Sequence, residues 1–458
     1  MRSGTCLDVS RGRSEVGPKL VVVMVGLPAR GKSYIVKKLK RYLSWLGFEA
    51  KIFNVGNRRR RRLTMVEPET PSASAHGHDS TFFDPNNVDA KAMRNQVAMD
   101  CLEEILSWLQ AGGKIGIHDA TNSTKERRRA IIDRCAREPG VSIMFVESIC
   151  TDPLVLARNM RLKLSGPDYQ GIPEERAMKD FTERVRNYER AYESLGAEEE
   201  ECDNVQSCQL INVGRKVIAT NIQSYLASQV VFYLMNMNLA PRQIWLTRHG
   251  ESTDNILGRI AYAAALARLV AQERRQFVAR AEASEATSIR DGPFHVWTSC
   301  MKRTIQTADP FAQSDDCDVQ HFKFLNEIYA GDCEGLTYAE IEARFPEEYH
   351  ARQQDKLRYR YIGTGGESYL DVIERLNPLI VELERQRHSV LVITHRVVMR
   401  ALLAYYGDIP LDRMVTMVVP LHTAYCIEPR PFGAVLRRFR YHAATDGFTE
   451  EPNGSHDG

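Results

Sequence analysis

The run Gly26-Leu27-Pro28-Ala29-Arg30-Gly31-Lys32-Ser33 has the residue types and spacing of a loop that holds nucleotide phosphates. Gly26 and Gly31 let backbone N–H groups converge on phosphate oxygens at a helix N-terminus, Lys32 would neutralise charge on the β- and γ-phosphates of a nucleotide, and Ser33 would ligate Mg²⁺. A β-branched run precedes it and an amphipathic segment follows, which favours this reading over a glycine turn that only joins two elements. Chemistry of the opposite sense is written at Arg248-His249-Gly250-Glu251. A neutral imidazole at His249 could take a phosphoryl group and pass it to water in a second step. Arg248, and Arg303 in Met301-Lys302-Arg303-Thr304, would meet the charge on the equatorial oxygens. His395 ends a second apolar strand, and Glu327 could protonate the leaving oxygen, although alone it reads as a solvated carboxylate.

Asp119 closes a strand over residues 114–118, where a parallel-sheet enzyme places an acid facing Mg²⁺, although a lone Asp after a strand also caps helices. The hydroxyls and amide of Thr121, Asn122, Ser123 and Thr124, followed by a basic run, suit a phosphorylated acceptor. The five consecutive arginines at 58–62 carry two readings: a nucleic-acid or localisation patch, or a clamp on an acceptor phosphate. Between Arg352 and Tyr361, Lys356, Arg358 and Arg360 interleave with Tyr359, as either a solvated loop or a pocket for a second phosphate.

These groups need strand ends to carry them. Apolar runs at residues 20–25, 51–55, 114–117 and 141–146 alternate with helical patterns at 32–46, 90–109 and 123–136, which predicts an α/β fold with a parallel sheet. Residues 63–80 read as a mobile surface insertion, 198–207 as an acidic loop, 217–234 as a closing helix and 235–241 as a linker. The alternation then restarts: strands at 243–246, 295–298 and 389–393, helices at 261–283, 338–344 and 370–385, and a disordered tail after His442. A length of 458 residues accommodates two such domains. Lys plus Arg (61) nearly balances Asp plus Glu (59), so no global charge argues for nucleic acid or a membrane surface. Ten scattered cysteines without a Cys-x-x-Cys, no apolar run near the ~20 residues a bilayer requires, and no secretory leader point to a soluble cytoplasmic protein.

Together these residues resemble the bifunctional 6-phosphofructo-2-kinase/fructose-2,6-bisphosphatase family over roughly residues 20–441, with blocks such as Phe53-Asn54-Val55-Gly56 and Tyr233-Leu234-Met235-Asn236 in the family's order. The resemblance implies an N-terminal tail (1–18), a P-loop kinase domain (19–238), a histidine-phosphatase, phosphoglycerate-mutase-like α/β domain (241–441) and a C-terminal tail (442–458). It implies that Lys32, Ser33 and Asp119 serve ATP and Mg²⁺, and that Arg59, Arg60, Arg94, Thr121, Ser123, Arg127, Lys163, Arg184 and Tyr188 hold fructose 6-phosphate. It assigns Arg248, His249, Asn255, Arg303, Glu327 and His395 to the phosphatase centre. Tyr338, Arg352, Lys356, Arg360, Tyr369 and Arg400 would bind the sugar 6-phosphate of fructose 2,6-bisphosphate. A homodimer through the kinase half is implied as well.

Two departures bear on the phosphatase. The family continues Gly-Gly-Asp-Ser where this chain reads Ala261-Tyr262-Ala263-Ala264, and it usually carries Gln where Arg396 stands. Lost backbone freedom in that loop predicts a slow bisphosphatase beside a dominant kinase. A C-terminal half that only binds sugar phosphate is the alternative. Polynucleotide end repair is a third reading, disfavoured by the charge balance and the lack of an aromatic–basic stripe.

Overall fold

The structure, a computed structural model, describes residues 18–66, 80–196, 199, 201–202, 205–250, 256–283, 292–430 and 433–452. It divides into two compact units, Met1–Met235 and Asn236–Gly458.

The first unit is built on β1 (Lys19–Val25), whose Leu20 to Val25 are wholly buried. Such an unbroken apolar run belongs to a strand covered on both faces. Around it follow α1 (Lys32–Trp45), β2 (Ala50–Asn54), α2 (Val55–Val66), α3 (Val88–Gln110), β3 (Ile115–Asp119), α4 (Lys125–Cys135), β4 (Val141–Ile149), α5 (Pro153–Leu164), α6 (Glu174–Arg190), β5 (Val205–Ile211), β6 (Lys216–Thr220) and α7 (Tyr225–Asn236). The sheet order is β2-β3-β1-β4-β5-β6, parallel except for β6. The chain leaves β1 toward one edge and returns past it to β4, so β1 ends at a switch point, where ligands bind open α/β sheets.

The arginine run lies on helix α2. Two expectations give way. Residues 205–211 and 216–220 pair as an antiparallel hairpin where an acidic loop and the start of a helix were expected, and α7 begins only after Asn221, which adopts the left-handed region (φ 55) that ends the strand. Helices α5 and α6 were not anticipated: α5 buries no residue fully, and the highly charged α6 buries chiefly Ala177, Phe181 and Val185, spaced by four. Of the expected insertion, residues 63–66 continue α2 and Ser80 opens a short 3₁₀ turn, while 67–79 lie outside the described residues.

The second unit runs β7 (Ile244–Arg248), α8 (Ile256–Ala283), β8 (Phe294–Thr298), α9 (Lys302–Ala312), β9 (Cys317–His321), α10 (Tyr338–Arg344), α11 (Pro346–Gln354), α12 (Tyr369–Arg385), β10 (Val390–Thr394), α13 (Arg396–Gly407), α14 (Leu411–Met414), β11 (Thr423–Arg430), β12 (Gly433–His442) and β13 (Gly447–Glu451). Its sheet order is β13-β12-β11-β7-β10-β8-β9, with β7, β10, β8 and β9 parallel. The segment after His442 is not a disordered tail: β13 pairs with β12, and the Phe448 ring meets Tyr441 at 5.4 Å, burying an apolar pair that a free tail would expose. Residues 453–458 lie outside the described residues. Among the described residues no helix is long and apolar enough to cross a membrane.

Candidate active sites

The loop leaving β1 is shaped by its neighbours. Gly26 (φ 131) donates its N–H to the Thr121 carbonyl at 2.9 Å, and a Cβ there would stand 2.6 Å from the Ser148 carbonyl oxygen, so only glycine fits. Asn159 Nδ2 donates to the Ala29 carbonyl at 3.0 Å and Ser148 Oγ to the Arg30 carbonyl at 2.6 Å. Gly31, left-handed at φ 81, turns the chain into α1. Lys32 Nζ donates to the Gly26 and Leu27 carbonyls at 2.8 and 2.6 Å. Burial pushes its ammonium down to about 7 against the pull of Asp119. Strand register sets Asp119 beside Asn54, whose Nδ2 donates to Asp119 Oδ2 at 2.6 Å. Loop, lysine and acid therefore converge at the carboxyl ends of β1, β2 and β3.

Beyond Asp119, the Asn122 amide turns inward. Its Nδ2 donates to the Met24 carbonyl at 2.8 Å, so this residue ties the loop to β1 and does not face an acceptor. Thr124 caps α4 by accepting from the Arg127 N–H, and Ser123 is buried.

The arginine run is sorted by helical geometry. Arg58 and Arg62, four apart, reach Glu104 and Asp100 on α3, themselves four apart. Arg59 and Arg60 turn to a carboxylate that sequence reasoning missed, Asp168, at 3.1 and 2.8 Å, and Arg184 of α6 joins them at 3.0 Å. Lys163 lies in the field of both Asp119 and this array, and its ammonium is held below its usual range, chiefly by burial. Tyr188 packs on Phe83 at 5.5 Å and stands electrostatically beside Arg94, Arg127 and Arg184. Arg94 donates to the Phe82 carbonyl, and Arg127 donates twice to Asn95 Oδ1, at 2.9 and 2.6 Å.

In the second unit, strand register makes the site. Thr394 pairs with Arg248, and the His249 N–H donates to the Thr394 carbonyl at 3.0 Å, so His249 and His395 leave adjacent strand ends with ring centroids 5.3 Å apart. His249 Nδ1 lies 2.5 Å from the Gly250 carbonyl. A carbonyl only accepts, so Nδ1 carries the proton and Nε2 keeps its lone pair. Burial first, then Arg303 and Arg248, push this imidazole down to about 4 against the Gly250 bond, so it is neutral at physiological pH. Arg303 donates to His395 Nδ1 at 3.1 Å, which leaves His395 Nε2 to donate to Ser299 Oγ at 2.8 Å. Arg248 donates to the Val419 carbonyl at 2.9 Å. Glu327 sits at the N-terminus of α13 and accepts the N–H groups of Ile328, Arg396 and Val397 at 3.1, 3.0 and 3.2 Å. Burial outweighs those bonds and raises its carboxyl above the usual range.

A basic cluster accompanies it. Arg352 donates to Tyr338 Oη at 3.3 Å and stacks over the Tyr338 and Tyr361 rings; Arg400 donates to Tyr369 Oη at 2.6 Å. Lys356 lies in the field of Arg352, Arg400 and Arg396. Arg360 is turned to Asp371 on the first turn of α12, and Arg358 pairs with Asp355. Asn255 lies outside the described residues.

A model of 6-phosphofructo-2-kinase matches residues 8–241, and one of the histidine phosphatase superfamily (branch 1) matches residues 244–441. A probable 6-phosphofructo-2-kinase of Schizosaccharomyces pombe is 44% identical, covering 95% of this chain and 71% of its own. The 6-phosphofructo-2-kinase 1 of Saccharomyces cerevisiae is 45% identical over 98% of this chain, which spans about half (55%) of that protein. The 6-phosphofructo-2-kinase/fructose-2,6-bisphosphatase 3 of Homo sapiens is 42% identical, covering 91% of this chain and 77% of its own. The chain belongs to the bifunctional 6-phosphofructo-2-kinase/fructose-2,6-bisphosphatase family.

One departure from that family's pattern takes a different physical form from the one expected. The helix expected over residues 261–283 is present as Ile256–Ala283 and takes in Ala261-Tyr262-Ala263-Ala264, so these four residues do not form the loop that the family comparison suggested. Tyr262 is fully buried, its Oη is 2.5 Å from Thr247 Oγ1, and its ring meets His422, Tyr441 and Phe448. Restoring glycine at 262 would therefore empty core volume, at a cost of about 3–5 kcal/mol, and would not free a substrate loop. Arg396, in place of the usual Gln, is exposed beside His395 and adds its charge to the field at Arg248 and Lys356.

Proposed function

We propose that the first unit transfers the γ-phosphoryl group of ATP to the 2-hydroxyl of fructose 6-phosphate, and that the second hydrolyses fructose 2,6-bisphosphate through a phosphohistidine. The chain then sets the level of fructose 2,6-bisphosphate and with it glycolytic flux. The observation that carries the two-way reading is the pair of imidazoles, His249 and His395, 5.3 Å apart beside Arg248 and Arg303, in a chain whose other half holds a Lys32-bearing phosphate loop.

In the kinase, phosphoryl transfer asks for positioned charge more than for covalent chemistry. Lys32 would move from the loop carbonyls to the transferring phosphate. Arg59 and Arg60 would grip the sugar phosphate, and Arg94, Arg127, Lys163, Arg184 and Tyr188 would join them in holding fructose 6-phosphate. The Ser33 hydroxyl and the Asp119 carboxylate are hard oxygen donors at the switch point and suit Mg²⁺, which would supply charge neutralisation between the phosphates.

In the phosphatase, His249 Nε2 attacks the 2-phosphoryl group. The bond from phosphorus to O2 breaks as protonated Glu327 gives its proton to that oxygen. Glu327, now a carboxylate, accepts a proton from the water that attacks the phosphohistidine, which returns His249 and releases phosphate. Arg248 and Arg303 hold the equatorial oxygens, and His395 steadies Arg303 through Nδ1. Arg352, Lys356, Arg400, Tyr338 and Tyr369 would hold the 6-phosphate. A coupled assay for formation from ATP and fructose 6-phosphate, and for hydrolysis of the product, tests both halves; absence of either activity from the folded chain contradicts that half.

A homodimer through the kinase half belongs to the same reading. Tyr225, Phe232 and Met235 lie exposed along one side of α7, and β6 forms an edge of the sheet. A cytoplasmic location accords with the scattered cysteines.

A further inference from the structure

Asp168 stands on the connection between α5 and α6, and this connection is braced at both ends. The Tyr169 N–H donates to the Gly166 carbonyl at 3.1 Å, and Gly166 in turn donates to the Lys163 carbonyl at 3.0 Å. Tyr169 Oη donates to Asp180 Oδ2 at 2.8 Å, and its ring meets Phe181 edge-on at 5.9 Å. The carboxylate is thereby delivered to a fixed place, where it takes one nitrogen from each of three guanidiniums: Arg59 and Arg60 of α2 and Arg184 of α6. On the aromatic side, Arg184 lies 3.9 Å and Arg59 5.0 Å from the centroid of Phe83.

Three guanidiniums crowded together repel one another, and burial makes that repulsion costly. One carboxylate offsets part of that repulsion and leaves the array, with Lys163 beside it, in positive excess, which suits a phosphorylated sugar. Burial alone would raise this carboxyl; Arg59, Arg184 and Arg60 more than reverse that and hold it well below the usual range.

We propose that Asp168 is a positioning residue of the kinase acceptor site. Its carboxylate links α2 to α6 and keeps Arg59, Arg60 and Arg184 assembled before fructose 6-phosphate arrives. This rests on the reading of that array as the acceptor site, and the wild-type kinase assay tests that reading separately. Preorganised charge of this kind lowers the cost of binding. A carboxylate that merely blocked the array would have to leave when substrate arrived, and its removal would tighten binding.

The test is steady-state kinetics on the full chain carrying Asp168→Asn, which keeps shape and loses charge, and Asp168→Glu, which keeps charge. Loss of a charge-assisted bond network predicts a KM for fructose 6-phosphate raised about tenfold to a hundredfold in the Asn variant, with the KM for ATP and the bisphosphatase rate unchanged. The Glu variant recovers part of the loss. A fructose 6-phosphate KM that stays put or falls in the Asn variant overturns the proposal. So does a Glu variant worse than the Asn variant, or a joint rise of both KM values with a lowered Tm, each of which marks a packing role. Those outcomes leave the kinase reading standing if the wild-type chain turns over fructose 6-phosphate.

Discussion

The two reaction centres treat charge in opposite ways. In the first unit cations are gathered and held by internal anions and carbonyls: Lys32 on the Gly26 and Leu27 oxygens, three arginines on Asp168, Arg127 on Asn95. In the second unit burial, reinforced by the neighbouring arginines, keeps two imidazoles neutral, His249 at about 4 and His395 at about 2. The contrast follows from what carries the phosphate. A kinase passes it between two bound molecules, so the protein supplies positioned charge and no nucleophile. A histidine phosphatase carries it on its own side chain, so it must keep a lone pair exposed and its positive charge on neighbours that never lose a proton.

That comparison breaks most visibly at the nucleophile. His249→Ala is expected to abolish bisphosphatase turnover, by about 10⁴-fold or more, and to leave kinase turnover untouched. Retained hydrolysis would show that some other group carries the phosphate. Next comes the acid. Glu327 must be protonated to act, and its carboxyl is raised, so phosphoenzyme formation falls as pH climbs through the Glu327 pKa; His249 becomes protonated only below about 4, so the acid-side loss lies near or under that value. Glu327→Gln should slow formation by about 10²- to 10⁴-fold and flatten the alkaline limb, which rapid quench across pH would read directly. A profile that keeps its alkaline limb in the Gln variant assigns that limb elsewhere.

On the kinase side, Lys32→Ala should cost about a hundredfold to a thousandfold in ATP-dependent formation of fructose 2,6-bisphosphate, with hydrolysis unchanged. Wild-type turnover in this variant would sink the phosphate-loop assignment. The smallest effect is the most selective. Arg59 and Arg60 replaced together by Ala should raise the KM for fructose 6-phosphate about tenfold to a hundredfold and leave that for ATP alone. If instead nucleic-acid binding falls and neither KM moves, the run is a surface patch.

Chemistry was more legible in the sequence than the elements between its motifs. The phosphate loop, His249 and His395 follow apolar strands, and Asp119 and Arg248 end them; a strand end in an open sheet is a place that periodicity can find. Asp168 was invisible because two of its partners are 108 and 109 residues away on α2, the third, Arg184, lies on the unanticipated α6, and its connection carries no period. The arginine run was ambiguous for a related reason: only the helical phase of α2 separates Arg59 and Arg60 from Arg58 and Arg62. The β5–β6 hairpin was lost because acidic residues before it masked a β-branched pair of strands. At Ala261–Ala264 the alanine-rich composition already predicted the helix over 261–283, and it was the family's glycine motif that suggested a loop there; the helix supplies Tyr262 to the core.

The claim that one chain places the phosphate at one site and removes it by covalent transfer at another is tested most directly with fructose 2,6-bisphosphate labelled with ³²P at position 2. Rapid acid-free denaturation and peptide mapping should find label on His249, decaying at the rate at which phosphate is released, and no label in the His249→Ala protein. Release of labelled phosphate by the wild-type chain with no labelled histidine, or the same release by the His249→Ala chain, would contradict it.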